Sequence, residues 1–301
     1  MALEMPWMHA NAPYMPIATV GLLALLSEHD HEATARWVDG VGSAPSLRID
    51  VQLEAAAVGE LLAGAPWPRL DRLMWPAGRW SQGLKPTLKE TREPAKAFRE
   101  MLTDAPTLER ALLRAILTDG VLDSDGVPGR SRLLRGVKSD LSSIDDPPRR
   151  ITADGLASEL RDGPDFRPGK SGLGLGLVPE VQTFGGTTGP DASTVGAYST
   201  LLYLLLWRGI IALPPVPVLR GSRRVVGGPL VTEPDVLSWP RWRIPVGLRS
   251  LRTLLSLDAI HQEQPPRHYL LERGIDAVFR ARAIPLNSMV AVFRWGERVM
   301  G

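Results

Sequence analysis

Apolar positions crowd Pro16–His29 at helical spacing, with Ile17, Val20, Leu22, Leu23, Leu25 and Leu26 leaving almost no polar face. A helix apolar all round is expected to be buried, and Pro16 suits its first turn, where a missing N–H costs nothing. Glu32–Val38 reads as a short helix closed by Gly40. Leu47, Ile49, Val51 and Leu53 alternate with Arg48, Asp50 and Gln52, the period of a half-buried strand. Glu54–Leu62 returns to helical composition. Ala65–Lys89, which holds Trp67, Trp75 and Trp80, shows no period, and helices are predicted again over Pro94–Leu102 and Pro106–Leu117. Asp119–Pro148 is polar and punctuated by Asp-Gly and Pro-Pro, so it reads as loops around one weak element. A helix over Ala153–Arg161 precedes a glycine-rich connection through Gly189.

The last third opens with a long apolar helix over Thr194–Leu213, ended by Pro214, Pro215 and Pro217, which force extended backbone. Nineteen residues of it, Val195–Leu213, carry Arg208 as their only charge, close to the length that spans a bilayer. Gly196, Ser199, Thr200, Arg208 and Gly209 lower its hydropathy and there is no second such stretch, so a buried helix is expected and no membrane. Val225–Val231 is a candidate strand. Leu248, Leu251, Leu254, Leu255 and Ile260 share one helical face and place Arg249 and Arg252 on the other. Asp276–Ile284 and Ser288–Trp295 are joined by Pro285-Leu286-Asn287 as a hairpin. The expected fold class is α+β: an irregular mixed helix and strand N-terminal part over 1–190, and a basic C-terminal part over 191–301 with an apolar helix and a β-hairpin.

Composition changes this picture in two ways. The 27 prolines and 29 glycines among 301 residues predict much irregular connection around a core of ordinary, 44% apolar content. The absence of cysteine excludes disulfides and thiolate metal sites and fits a reducing cytoplasm. Met1–Asn11 has no basic segment and its apolar residues are broken by prolines, so no signal peptide is expected.

Charge is more informative. The net +2 hides an asymmetry: residues 1–100 sum to −2, 101–200 to −3 and 201–301 to +7. The last block holds fourteen arginines, seven acids and no lysine. Arginine outnumbers lysine thirty to five overall, which accounts for the missing lysine but not for the thinning of acids in the same place. A basic surface of this kind suits a polyanion, and the planar guanidinium fork matches phosphate; a merely solvated basic face is the alternative.

Catalytic chemistry finds little support. Gly163…Gly169-Lys170-Ser171 has five residues between its glycines where a phosphate-binding loop has four, and it follows a helix-like segment rather than a buried strand. Gly172, Gly174 and Gly176 alternate with leucines, with no helix signal behind them. His29-Asp30-His31 has no further ligand at metal spacing and reads as a polar helix end. Asp145-Asp146 and Asp123…Asp125 sit in turn-like sequence, and no serine lies in a nucleophile elbow. No enzyme activity, metal or other cofactor is therefore expected.

Three arginine groups remain. Arg220, Arg223 and Arg224 flank Gly221-Ser222 in an expected exposed loop, with a solvated loop as the bland alternative. Ser238-Trp239-Pro240-Arg241-Trp242-Arg243 interleaves aromatics and cations, as a segment that stacks bases and tracks phosphates would. Trp239 and Trp242 as core anchors is the stronger reading of the same residues. Arg280 and Arg282, at i and i+2 of a predicted strand, project from one face, with Arg294 on the returning strand; pairing with Asp276 or Glu272 is their structural alternative. The candidate nucleic-acid contacts are thus Arg220, Arg223, Arg224, Arg241, Arg243, Arg249, Arg252, Arg280, Arg282 and Arg294.

Several of these segments also resemble one protein family. Ala18, Gly21-Leu22-Leu23 and Leu25-Leu26 within Pro16–Leu26 look like an early helix of certain CRISPR effector subunits. Tyr198–Pro217 is similar to that family's apolar helix running into a Leu-Pro-x-x-Pro end. Trp239-Pro240-Arg241-Trp242 with Pro245 and Leu248 resembles its Trp-Pro-x-Trp…Pro-Leu segment, and Arg273-Gly274-Ile275 through Val278-Phe279-Arg280-Ala281-Arg282 its arginine-rich run near the C-terminus. The family comprises large-subunit-like proteins of type I-G (formerly I-U) CRISPR interference complexes of the Cascade kind. The matches run in order from residue 16 to 295 and leave 65–190 uncovered.

The resemblance implies a non-enzymatic, cytoplasmic subunit of an antiviral ribonucleoprotein. Its partners would be guide RNA, target DNA, other effector subunits and a separate helicase-nuclease. In such complexes base pairing supplies sequence specificity, while protein contacts the backbone and reads a short adjacent motif. Two rivals stand beside this reading: a structural subunit whose basic face packs an acidic protein partner, and a nuclease-type enzyme.

Overall fold

The computed structural model of the chain describes residues 2–13, 15–30, 32–39, 45–66, 107, 110–111, 117–122, 128–130, 152–164, 167–168, 197–198, 200–213, 216–220, 223–227, 231–233, 236–285, 291–293 and 295–301. The predicted helix at 94–102, all of 67–100, Lys170 and the glycine run at 172–176 lie outside these residues. Helices and small antiparallel sheets are mixed along the chain, an α+β fold.

Near the N-terminus, β1 (Ala2–Met5), β2 (Thr34–Val38) and β3 (Ser46–Asp50) form an antiparallel sheet in the order β1-β3-β2. β2 corrects the helix expected over Glu32–Val38. Ala35 and Trp37 are buried while Thr34, Arg36 and Val38 are half-buried, the period of two that a short run can hide inside helical composition. Pairing with β3 from Thr34↔Asp50 to Val38↔Ser46 then decides the matter, because it satisfies backbone groups that so short a helix would leave open.

Between these strands runs α1 (Met15–Leu26), buried at eleven of its twelve positions. Its partner is the long apolar helix α4 (Thr200–Ala212), which begins later than predicted because Ala197–Tyr198 is drawn into a short strand. The two backbones touch through glycines. A Cβ added at Gly21 would collide with Leu205 O, and one at Gly209 with Ile17 O. Two flat glycine faces are what let two predominantly apolar helices meet so closely. Arg208, the only charge in α4, reaches Glu28 at 3.0 Å. Among the described residues no helix is long and apolar enough to cross a membrane.

α2 (Ala55–Gly64) packs on α3 (Ala153–Asp162), whose Thr152 accepts the Gly155 N–H as an N-cap. Gly163 ends α3 at φ 107°, and Trp7 docks beside it by donating its indole N–H to Leu160 O at 2.9 Å. The glycine that imitates a phosphate loop in sequence is thus a helix terminus covered by a tryptophan. Three further two-stranded antiparallel pairs are β4 (Leu117–Leu122) with β5 (Pro128–Arg130), β6 (Arg167–Pro168) with β7 (Ala197–Tyr198), and β8 (Val216–Arg220) with β9 (Arg223–Gly227). The first replaces the end of the helix expected over Pro106–Leu117, of which Thr107, Arg110 and Ala111 are helical.

The C-terminal sheet contains β10 (Val231–Glu233), β11 (Val236–Trp242), β12 (Ile275–Pro285), β13 (Ala291–Phe293) and β14 (Glu297–Met300). Its order is β10-β11-β12-β13, with β14 also on β12, and β12 and β13 form the predicted hairpin. Between β11 and β12 come α5 (Leu248–Leu255), α6 (Asp258–His261) and α7 (Arg267–Leu271). The face of α5 is as predicted as far as Leu255, with Leu251 and Leu255 buried and Arg249 and Arg252 exposed, but the helix stops there and Ile260 belongs to α6 and to a different apolar cluster. One apolar cluster runs from Leu3 through α1, α4 and α5 to Ala281, so residues on both sides of position 190 build the same core. A smaller cluster of Ala259, Ile260, Leu270, Ile275, Val278 and Met300 seats α6 and α7 on the sheet.

Candidate nucleic-acid interface

The segment Ser238–Arg243, in which no element is predicted, belongs almost wholly to strand β11. The seven residues of that strand are buried without alternation, because core covers both faces, and that erases the usual strand signal. Pro240 fits because β10 pairs only with Val236 and Leu237 and does not reach it. The two tryptophans are anchors. Trp239 donates to Ala10 O at 2.8 Å and stacks on Phe279, while Trp242 donates to Ala35 O at 2.9 Å and meets Trp37 edge-on. Both are buried, which decides for the core-anchor reading and removes them as base platforms.

β11 and β12 pair regularly from Val236↔Arg282 to Arg241↔Ala277, after which Trp242 pairs with Ile275. Asp276 is left as the extra residue of a bulge, a device that re-aims a side chain. Its carboxylate accepts from Arg241 Nε at 2.7 Å, and also from Arg241 Nη2 and Arg243 Nε. Burial pushes the Asp276 carboxyl up, but hydrogen bonds and charge from Arg241 and then Arg243 outweigh it and hold it below 3.8. Asp39, just beyond the end of β2, approaches the same pair, 3.0 Å from Arg243 Nη2 and 3.9 Å from Arg241 Nη1. Arg243 N–H also donates to Gly274 O, and Gly274 holds φ 73° to make that turn.

The predicted site residues thus divide. Arg241 is buried and committed to Asp276, and Arg243 is half-exposed and shared between two acids. Arg280 donates to Ser238 Oγ at 3.1 Å and Gln262 O at 2.6 Å, tying β12 to the chain after α6 rather than to Asp276 or Glu272. Arg282 shares its face as predicted and is exposed. Arg249 and Arg252 are exposed on α5, and Arg267, which sequence reasoning passed over, is exposed at the start of α7. None of these last four makes an ion pair among the described residues. Arg220, Arg223 and Arg224, expected in a loop, lie instead in the β8–β9 strands, with Arg220 and Arg223 in facing register. Arg294 lies outside the described residues.

Sequence reasoning missed Asp39 and the bulge at Asp276. Asp39 is 204 positions from Arg243, and Asp276 is indistinguishable in sequence from any acid in an alternating strand. Among the described residues no three histidine or acidic side chains are placed to hold a metal. Asp30 of the His29-Asp30-His31 run accepts the backbone N–H groups of Glu32 and Gln52, each at 3.0 Å, and so braces two loops. No protein-family model, curated protein or solved structure matches the chain.

Proposed function

We propose that this protein is a non-enzymatic nucleic-acid-binding subunit. The observation that carries the reading is the set of exposed arginines Arg249, Arg252, Arg267 and Arg282, none of them ion-paired among the described residues, in a C-terminal third that sums to +7. Guanidinium groups without carboxylate partners are free to exchange condensed counterions for phosphate contacts. Membership of an RNA-guided CRISPR effector complex of type I-G, in the cytoplasm and with guide RNA and target DNA as partners, rests on the sequence resemblance alone.

The test is binding of the purified protein to a labelled oligonucleotide across a salt series. Charge reversal of Arg249, Arg252 and Arg282 together should weaken binding far more than reversal of Arg36 and Arg48. It should also flatten the log–log salt slope on single-stranded DNA by about 0.7 for every phosphate no longer neutralised. Equal effects, or no binding by the protein alone and in its complex, overturn the reading.

One observation favours the protein partner of the rival reading. Ile244 and Leu271, each 46% exposed, and Tyr269 at 39% place apolar surface around the Gly274 turn. Co-purification free of nucleic acid, with the absorbance ratio of pure protein, would select it.

A further inference from the structure

The two acids that hold Arg241 and Arg243 are not equivalent. Asp276 sits in a bulge between paired strands with its side chain 17% exposed, and takes Nε and Nη2 of Arg241 and Nε of Arg243. The outward edges that remain, Arg241 Nη1 and Arg243 Nη2, converge on Asp39, whose side chain is 65% exposed. Asp276 is built into the strand pair. Asp39 only rests on its surface.

Together the four side chains are neutral: two guanidinium groups against two carboxylates. Without Asp39 the group carries +1, with two guanidinium edges already oriented by Asp276 toward one point. Oriented edges of this kind bind an oxyanion with little further ordering, and phosphate oxygens match them in geometry and charge. We propose that Arg241 Nη1 and Arg243 Nη2 form an oxyanion site that Asp39 fills in the free protein, and that a phosphodiester of a bound strand displaces this carboxylate. Asp39 thereby acts as an autoinhibitory stand-in, which tightens selection for long polyanions over isolated ions. The inference rests on the nucleic-acid reading above. A strand is favoured over an acidic peptide because the chain leads from Arg243 directly into α5, whose Arg249 and Arg252 are exposed and without an ion pair among the described residues, and supply the next contacts for a continuous phosphate backbone.

The experiment measures fluorescence anisotropy of a labelled oligothymidylate against the full-length protein, Asp39→Asn, and Asp258→Asn. Asp258 is an exposed acid with no ion pair among the described residues, so its variant carries the same change in net charge. Losing an exposed ion pair worth up to about 1 kcal/mol should tighten binding about two- to fivefold in Asp39→Asn. Asp258→Asn should match the unsubstituted protein, and adding Arg243→Ala to Asp39→Asn should abolish the gain. Equal affinities for the two Asn variants overturn the inference and leave the nucleic-acid reading standing. A gain that survives Arg243→Ala also overturns it, since the effect then does not act at this site. A gain for polyglutamate but none for the oligonucleotide assigns the site to an acidic protein instead. No oligonucleotide binding by any form, with unchanged thermal melting of each, overturns both readings.

Discussion

Two clusters of arginine and acid, one in each sheet, handle the same problem differently. In the N-terminal sheet Arg36 and Arg48 face one another in register, a like-charge pair that would oppose strand pairing. Asp50 answers both, at 3.7 and 3.0 Å, and Glu4 reaches Arg48 at 3.6 Å, all from the same sheet and all about one-third exposed or more. In the C-terminal sheet Arg241 and Arg243 share Asp276 from the adjacent strand but take their other acid, Asp39, from the far end of β2. The N-terminal cluster is local and closed. The C-terminal one is completed by a distant residue, and beyond it Arg249, Arg252, Arg267 and Arg282 find no acid among the described residues. The basic surplus is therefore no property of arginine-rich sequence in general, since one arginine-bearing sheet is balanced and the other is not.

The sharpest way to break the comparison is to remove what holds the two sheets in one body. Gly209→Val drives a branched side chain into the backbone of Ile17, and should cost about 3 kcal/mol or abolish folding, read by chemical denaturation. Both sheets should be lost together, because their core is continuous. Loss of the C-terminal sheet alone would contradict a shared core.

Next in size is Asp276→Asn. It leaves the nearly buried Arg241 without its carboxylate and should destabilise by about 2 kcal/mol at neutral pH. Because the folded carboxyl titrates below 3.8, its contribution is complete above that value and fades as pH falls through the lower folded pKa. The stability gap between the native protein and Asp276→Asn should therefore narrow below about pH 4, and a gap independent of pH would deny the ion pair its role.

Arg36→Ala is the matched change in the N-terminal sheet. Its partner Asp50 is one-third exposed and 3.7 Å away, so the loss should stay under about 1 kcal/mol and shrink with added salt. A loss as large as that of Asp276→Asn would erase the distinction between the two clusters. The smallest stability effect is expected for Arg252→Gln on the open face of α5, within about 0.5 kcal/mol. Its thermal melting should be unchanged while oligonucleotide affinity falls.

Legibility follows the contrast between apolar and polar positions along the chain. α1 and α4 were readable because an unbroken apolar run has few other destinations, and α5 because its leucines and arginines separate cleanly by face. The β12–β13 hairpin announced itself through Pro285-Leu286-Asn287 between apolar runs. β2 was misread because five residues carry too few periods to tell strand from helix, and β11 escaped because burial on both faces removes alternation. Of the candidate site, the exposure of Arg249, Arg252 and Arg282 agrees with the pattern along the chain. The commitment of Arg241 to Asp276 depends on a bulge that skips one residue, and no periodicity encodes such a skip.

What the sequence determined alone is the inventory: which helices must be buried, that cysteine chemistry is absent, and that positive charge gathers after residue 200. Tertiary structure decided which of those charges find partners. Ion pairing depends on distances of a few ångströms between groups separated by up to 204 positions, such as Asp39 and Arg243, and those distances exist only once both sheets have closed on their common core.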